Sequence, residues 1–380
     1  MHPVRQKLKK IKFLEIISSV RITVVCLALL FILTFWGTVA QVQQGLYYSQ
    51  ERFFNSFVFL VGGFFPFPGA RLVLWTLFLN LLGVTITRFI YQRRQVGILV
   101  IHFGLLLYFA AAFVTFHCAK ESHVTLSEGE ATDVSLSYHK WELSVWKADS
   151  SPRTVSAYDA DGLKTGQTLM FPEYGLAVTV SQYYPNSQAF TISSDAQKDY
   201  LNASGIHALE PVHVDKKPEE NFPGLTASVQ TSAGQKFDLL LYGAEPRPTS
   251  ILTKEGKVFL QLRRRRAQLP FLLKLKDFRM KTHPGTEIAS SYQSLVEVSN
   301  DNLSREVLIS MNKPLRYKDY TLYQASYSID AAGRQYSTLA VVRNKGRVLP
   351  YVASLLTFAG LLLHFLLQGF RYQKRQKGRS

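Results

Sequence analysis

The sequence is poor in cysteine and acidic residues and has no recognisable catalytic motif. It has only two cysteines, Cys26 and Cys118, which excludes a disulfide framework and any CxxC metal or redox site. It contains no G-x-S-x-G, H-E-x-x-H, Walker loop or glycine-rich dinucleotide turn. We therefore predict no catalytic residues in this chain. Cys118 is either an apolar filler or a redox-active thiol.

Four long stretches are almost free of charge. A helix needs about 20 mostly apolar residues to cross a bilayer, and residues 19–40, 71–91, 97–117 and 348–368 meet this condition. We predict a basic N-terminus at 1–18, three spans within 19–117, a domain at 118–347, a fourth span at 348–368 and a basic tail at 369–380. The first stretch is longer than a signal-peptide core, and we interpret it as a retained anchor.

The excess of positive charge lies beside these stretches. The formal net charge is +17, and a nucleic-acid partner would require the basic residues on one stripe. Instead they flank the apolar runs, as expected for cytoplasmic loops: Lys7, Lys9, Lys10, Lys12, Arg21, Arg88, Arg93, Arg94, Arg371, Lys374, Arg375, Lys377 and Arg379. We predict no nucleic-acid partner, contact with membrane lipid, and a bacterial cytoplasmic membrane with both termini inside and residues 118–347 outside.

A fifth apolar segment, residues 53–68, is too interrupted to span. Gly62-Gly63, Pro66 and Pro68 leave only a short continuous run. A span here would also place the arginines at 88–94 on the outer side. We predict an interfacial segment with its aromatic residues at the headgroup level.

Residues 118–347 carry short β-type runs separated by turn residues. Their spacing favours an all-β or mostly β domain, either a sandwich or an open barrel, without long helices. The predicted strands are Glu142–Trp146, Leu176–Tyr183, Phe237–Tyr242, Val258–Leu262, Phe271–Phe278, Ser294–Val298, Val307–Met311, Thr321–Tyr327 and Thr338–Val342. The consecutive arginines Arg263–Arg266 either bind carboxylates such as heme propionates, contact anionic lipid, or form a solvated hairpin rim.

Two histidines lie away from the ends of the predicted spans, where an ionisable residue is costly and suggests function. His102 is about 12 Å above Arg94 and His364 about 10 Å above Arg371 along their helices, which predicts a shared depth. Imidazoles at one level could ligate a heme iron from opposite sides, and each could instead bond a polar group across a helix interface. His117 and His123 are weaker candidates for a second site.

Several segments, in order along nearly the whole chain, resemble the ResB (CcsB) family of System II cytochrome c biogenesis. They are Ser18-Ser19-Val20-Arg21, Trp36-Gly37-Thr38-Val39, Tyr47-Tyr48 with 53–68, Leu79-Asn80 through Arg88, His102-Phe103-Gly104-Leu105, Leu126 to Glu130, Lys276-Asp277-Phe278, His283 to Thr286, Tyr292-Gln293-Ser294, Met311 to Tyr317, Tyr323 to Tyr327 and Val342 to Gly346. His283 departs from the pattern, in which an aromatic residue is expected.

The resemblance implies a subunit of a holocytochrome c synthase complex. In that complex a ResC (CcsA) membrane protein is the partner, and heme b is moved outward and presented to apocytochrome c for thioether attachment. Thiol-reducing proteins are further partners. His102 would ligate the heme iron with the opposing ligand supplied by the partner, and His364 is the weaker candidate ligand. Two alternatives stay open: a scaffold that holds no heme and stabilises the partner, and a stand-alone cytochrome b ligated by His102 and His364.

Overall fold

The computed structural model describes residues 12–87, 95–148, 154–191, 199–286, 289–300 and 303–377. For residues 12–13 and 371–377 it describes the backbone alone. The chain forms two compact units: Met1–Lys120 with Arg343–Ser380, here the membrane unit, and Glu121–Val342, here called the outer unit after its predicted location. Of the basic residues on which the predicted orientation rests, those at 7–10, 88–94 and 379 lie outside the described residues.

Six α-helices are described in the membrane unit. They are α1 Lys12–Ile17, α2 Val20–Gln44, α3 Leu46–Ser49, α4 Ala70–Thr87, α5 Val96–Cys118 and α6 Leu349–Lys377. Among the described residues, α2, α4, α5 and the Leu349–Phe370 part of α6 are long and apolar enough to cross a membrane. Together with the β-rich outer unit, they confirm the predicted fold class.

The turn between α1 and α2 is tied to α4 by polar side chains. Asn80 donates from Nδ2 to the carbonyl oxygens of Ile17 and Ser19, and its Oδ1 accepts from Thr23 Oγ1 at 2.7 Å. Thr87 Oγ1 lies 2.8 Å from Ser18 Oγ, and both residues are buried. Since an unsatisfied polar group is costly in hydrocarbon, these bonds fix where α2 begins relative to α4.

The 53–68 segment is a π-helical turn, Gln50–Asn55, followed by a hairpin of β1 (Val58–Val61) and β2 (Phe65–Pro68). Gly62 and Gly63 form its turn, with φ of 63° and 84°. Phe53, Phe59 and Phe67 each have a ring centroid within 6 Å of that of Trp36 on α2. The hairpin is therefore held to α2 by an aromatic cluster, while Phe64 at its tip is 81% exposed.

The outer unit is built from sixteen described strands. They are β3 Lys120–Ser127, β4 Ala131–Lys147, β5 Val155–Asp159, β6 Thr168–Phe171, β7 Leu176–Tyr184, β8 Ser187–Phe190, β9 Ala208–Pro211, β10 Gly224–Thr231, β11 Lys236–Tyr242, β12 Thr249–Thr253, β13 Gly256–Thr282, β14 Ala289–Asn300, β15 Leu303–Ser310, β16 Leu315–Tyr317, β17 Tyr320–Ile329 and β18 Gln335–Arg343. Its described helical segments are three short 3-10 turns at 160–162, 172–174 and 218–220, as predicted.

The strands form one large and one smaller sheet. The large sheet has ten strands in the order β15-β14-β13-β4-β3-β18-β17-β16, with β12 also paired to β13 and β5 to β4. The smaller sheet has the order β11-β10-β7-β6, and β8 pairs with β9. The pairings of β13 with β4, β12 and β14 are antiparallel, and so are β10 with β7 and β11, β14 with β15, β16 with β17, β4 with β5, β6 with β7 and β8 with β9.

Two separate hydrophobic cores lie along the 27-residue strand β13. In the first, Leu143 and Leu260 of the large sheet pack with Val178 and Leu225 of the smaller sheet, as in a sandwich. In the second, alternate residues of β13 such as Leu273 pack with residues of β14 to β18. There the end strands β15 and β16 are separated by only four residues, 311–314, so the two ends of the sheet lie close together and the sheet curls on itself. The outer unit therefore combines both predicted architectures.

Candidate functional site

Helices α5 and α6 touch along a row of small residues. A Cβ on Gly97 would lie 2.5 Å from the backbone nitrogen of His364 and 2.6 Å from its Cα. A Cβ on Gly360 would lie 2.7 Å from the backbone nitrogen of Ile101, and Gly104 meets Thr357 in the same way. Glycines let helix backbones approach closely in membranes, where packing drives association. The two helices are thus in direct backbone contact.

This packing contradicts the predicted shared depth of the two histidines. Gly97 lies beside His364 and Ile101 beside Gly360, so the level of His102 on α6 is near residue 359. His364 is five residues away from that level, which is ~7.5 Å along the axis. No porphyrin fits between helices in backbone contact. The structure therefore gives no support to a stand-alone cytochrome b with heme held between α5 and α6.

His102 is held in one tautomer by its own helix. Its Nδ1 lies 2.8 Å from the carbonyl oxygen of Ile98. Because a carbonyl only accepts, Nδ1 is the donor in this contact, and a neutral imidazole in this arrangement has its lone pair on Nε2. Metal-ligating histidines commonly show this arrangement, with one ring N–H donated to a carbonyl and the other nitrogen directed at the metal. The half-buried side chain thus has the chemistry of an axial ligand.

His102 lies on the face of α5 that carries an aromatic stripe. One heptad further on is Phe109, only ~20° away around the helix. Phe109 contacts Phe78 of α4, and the next turn places Phe113 against Trp75, both at 5.8 Å between ring centroids. The predicted candidate His117 follows on the same face, 4.4 Å from the ring of Phe113. His102 and His117 are therefore at opposite ends of one aromatic-lined helix face.

His364 has a different environment. Its Nε2 lies 3.1 Å from Nε2 of Gln368 on the next turn. Since the amide nitrogen donates, the lone pair on Nε2 of His364 is already accepting a hydrogen bond. A role as ligand would require that bond to break. Its backbone, pressed against Gly97, contributes instead to helix packing.

The arginine tetrad lies within strand β13 and is not a hairpin rim. Arg263 donates from Nε to Glu142 Oε1 at 3.0 Å, with side chains 11% and 9% exposed. Arg264 bonds the carbonyl oxygens of Tyr138 and Glu219, and Arg265 pairs with Asp159 at 3.2 Å. These contacts explain the charge cluster mainly as a structural feature of the outer unit.

A four-residue bulge lies opposite Arg265. Arg264 pairs with Trp141 and Arg266 with Leu136, so residues 137–140 of β4 loop out of the ladder. Tyr138 of this bulge has its ring centroid 4.6 Å from that of His123 on β3. Burial, together with the nearby Glu121 and Glu219 carboxylates, raises the pKa of Tyr138 to about 12. Sequence reasoning missed this bulge, since no turn residue other than Ser137 marks it.

His123, the other weaker candidate, is a neutral histidine inside this cluster. Burial, aided by the positive charge of Arg264 and by His139, lowers its pKa from 6.5 to about 4. Its Nδ1 is buried with no hydrogen-bond partner among the described residues. No group of three or more His, Cys, Asp or Glu side chains suited to a metal ion is found in the described parts of the chain. Cys26 is buried, Cys118 is exposed, and both are free thiols.

The fold defines a membrane protein with a helical unit of four candidate spans and a two-core β unit. Comparison with known proteins agrees with the resemblance seen in the sequence. Residues 220–333, all within the outer unit, match the ResB-like family. Protein NrfI of Wolinella succinogenes is 25% identical over 301 residues, which is 77% of this chain and 30% of NrfI.

Over residues 220–333 the chain is therefore similar to the ResB-like family. The chain spans less than a third of the length of NrfI. The family match lies outside the membrane helices, so it does not bear on the roles of His102 and His364.

Proposed function

We propose that this chain is the heme-handling subunit of a membrane complex that assembles c-type cytochromes. His102 ligates the iron of heme b, which is the cargo of the complex. A ResC (CcsA) membrane protein supplies the opposing ligand, and apocytochrome c receives the heme. Thiol-reducing proteins keep the acceptor cysteines reduced. The proposal rests above all on the tautomer of His102, fixed by the Nδ1 contact with Ile98.

The need for a second protein follows from the helix packing. The other candidate ligand, His364, is offset by ~7.5 Å and lies on a helix in backbone contact with α5. An axial ligand opposite His102 therefore has to come from outside the α5–α6 pair. The rings of Phe109 and Phe113 pack against Phe78 and Trp75 of α4, so the surroundings of α5 beyond His102 are apolar.

The orientation of the chain is part of the proposal. Both termini lie in the cytoplasm of a bacterial cell and the outer unit lies outside, because basic residues flank the apolar stretches at those ends. Heme is then taken up toward the cytoplasmic half of α5 and leaves toward its outer end. The hairpin at 53–68 lies at the outer headgroup level, with the exposed Phe64 as its anchor.

The outer unit has a docking role in this proposal. Within it, Arg263 and Arg265 are paired with Glu142 and Asp159, and Arg264 donates to backbone carbonyl oxygens. It positions the partner and apocytochrome c. In the alternative function the chain is a scaffold, and His102 does not ligate heme. The experiment below distinguishes these two functions.

The test is heme content in the complex of the full chain with its ResC partner, purified in detergent. We compare the parent, His102→Ala and the matched control His364→Ala, each with and without imidazole. His102→Ala is expected to lose heme or to alter its absorption spectrum, with recovery on adding imidazole, which supplies the missing nitrogen ligand. His364→Ala is expected to keep the parent spectrum because its ring bonds Gln368.

Equal heme content and spectra in all three proteins, with the complex intact, would remove the ligand role. The scaffold function would then stand in its place. Loss of the complex itself in His102→Ala would be seen by size-exclusion chromatography before any spectrum is compared.

A further inference from the structure

A groove of about 360 Å³ runs along the outside of α2 and α4. Val25, Cys26 and Leu29 line it from α2, and Leu72 and Val73 from α4. The remaining residues that line it are Arg21, Ile22, Pro68 and Thr76. The hydroxyl of Thr76 donates to the carbonyl of Leu72 on its own helix, so the wall of the groove is apolar there. Arg21 is the one charged side chain of this lining.

Arg21 has no hydrogen-bond or ion-pair partner for its guanidinium among the described residues. Two other arginines of the membrane unit are engaged. Arg52 donates to the carbonyl of Leu60, and Arg71 lies over the rings of Phe57 and Phe116 at 4.5 and 4.8 Å. Arg21 is exposed at the start of α2, where Ser19 caps the helix by accepting from the Arg21 backbone N–H. Its charge is thus directed to the surroundings of the chain.

The position of Arg21 at the end of the groove is fixed by the polar ties described above. Asn80 holds the carbonyls of Ile17 and Ser19, and Thr87 holds Ser18. The turn that precedes Arg21 therefore cannot slide along α4. The positively charged Arg21 is therefore fixed at one end of an apolar groove. It lies at the start of α2, the helix that follows the lysine-rich N-terminus.

The dimensions suit one lipid chain. Arg21 to Leu29 covers eight residues of α2, ~12 Å. One leaflet of a hydrocarbon core of ~30 Å is about 15 Å thick. Basic side chains beside grooves between membrane helices bind anionic lipid headgroups, where charge and desolvation act together. We infer that the groove between α2 and α4 binds an anionic phospholipid, with its phosphate on Arg21 and one acyl chain along Val25, Leu29 and Leu72.

The test uses dioleoylphosphatidylglycerol and dioleoylphosphatidylcholine, which share their acyl chains and differ in net charge. Binding of each lipid to the full chain in detergent is measured by native mass spectrometry. The parent is expected to bind phosphatidylglycerol more tightly. Arg21→Gln should weaken that binding about fivefold and leave phosphatidylcholine unchanged, because one cation near an anionic headgroup has about this effect. Arg21→Lys should stay within about twofold of the parent.

Two further variants separate this site from a general charge effect. Lys374→Gln removes one positive charge from the C-terminal tail, at the same predicted membrane face, and should leave both affinities unchanged. Leu72→Trp fills the groove and should weaken the binding of both lipids, since their acyl chains are the same. Far-UV circular dichroism of each variant checks that the fold is kept.

Equal affinities for the two lipids in the parent would overturn the inference. So would an equal effect of Arg21→Gln and Lys374→Gln, which would indicate nonspecific attraction. If Leu72→Trp leaves lipid binding unchanged but removes the ResC partner from the complex, the groove is a protein interface and the lipid site is wrong. None of these outcomes depends on whether His102 ligates heme.

Discussion

The outer unit and the membrane unit bury their apolar residues in different ways. The outer unit encloses two cores in which residues such as Leu143, Leu260 and Leu273 have no exposed surface. In the four candidate spans only 11–28% of the residues in the most apolar windows are buried within the chain. Side chains such as Phe31, Phe103 and Leu355 are largely exposed.

This difference indicates two sources of stability. The outer unit gains it from apolar burial within one chain. In hydrocarbon that gain is absent between helices, so the membrane unit depends on close packing and on hydrogen bonds such as those of Asn80. Its exposed faces are covered by lipid or by another protein. Substitutions in the two units should therefore differ in the size of their effect on stability and in the unfolding transition that they affect.

The largest effect is expected from Glu142→Gln in the outer unit. The change leaves Arg263 charged and buried without its carboxylate, which typically costs about 3–5 kcal/mol. Denaturant unfolding can be followed by fluorescence of Trp141 and Trp146 in a Trp36→Phe, Trp75→Phe background. Glu306→Gln, which removes an exposed partner of Lys276, is the control and should change little. Equal effects of the two changes would show that burial of the pair does not matter.

The next largest effect is a pH dependence that arises from His123. Its pKa is 6.5 in an unfolded chain and about 4 when folded. As the pH falls, His123 is therefore protonated in the unfolded state before it is protonated in the folded state. The neutral form therefore supports the fold above pH 6.5, and this support is lost as the pH falls to about 4. The free energy of unfolding falls by on the order of 3 kcal/mol between these two pH values.

The measurement is the free energy of unfolding at pH 7 and pH 4.5. His123→Phe keeps an aromatic ring beside Tyr138 and should flatten the difference. The exposed His283 provides the control, since His283→Gln should leave the pH dependence as in the parent. An unchanged pH dependence in His123→Phe would assign it to other groups.

A smaller effect is expected from Gly97→Leu in the membrane unit. The new side chain meets the backbone of His364, which cannot rotate away, and overpacking of this kind costs about 1–3 kcal/mol. Gly369→Leu on α6 is the matched control, because no heavy atom lies within 4 Å of its Cβ position. Helix content during unfolding in sodium dodecyl sulfate reports the loss. The unfolding transition of the outer unit, followed by the fluorescence of Trp141 and Trp146, should stay at the same denaturant concentration.

The smallest effect is expected from Thr23→Val. It removes the 2.7 Å bond to Asn80, and such bonds average about 0.6 kcal/mol in membrane helices. Thr34→Val, on the same helix, removes a hydroxyl that bonds only the carbonyl of Leu30 and is the control. The same unfolding assay in sodium dodecyl sulfate compares them. An effect as large as that of Gly97→Leu would mean that hydrogen bonding, more than packing, holds this unit.

Much of the secondary structure was predictable. Each of the predicted β runs falls on a strand of the outer unit apart from the end of the run at 307–311. The runs at 258–262 and 271–278 turned out to be one strand, β13, because Arg263, Arg264 and Arg266 between them continue the ladder with β4. The buried Glu142 carried a signal, a lone carboxylate in an apolar run. Its partner, 121 residues later, could not be identified from pattern alone.

The sequence by itself determined where the spans lie, because the free energy of transfer into a bilayer is a sum over about 20 neighbouring residues. It also determined that the region between them is β-rich, since alternation and turn residues act locally. Only the tertiary structure decided the register of α5 against α6, the pairing of Arg263 with Glu142 and the separation of His102 from His364. These depend on steric fit between segments far apart in the chain, and local composition contains no measure of that fit.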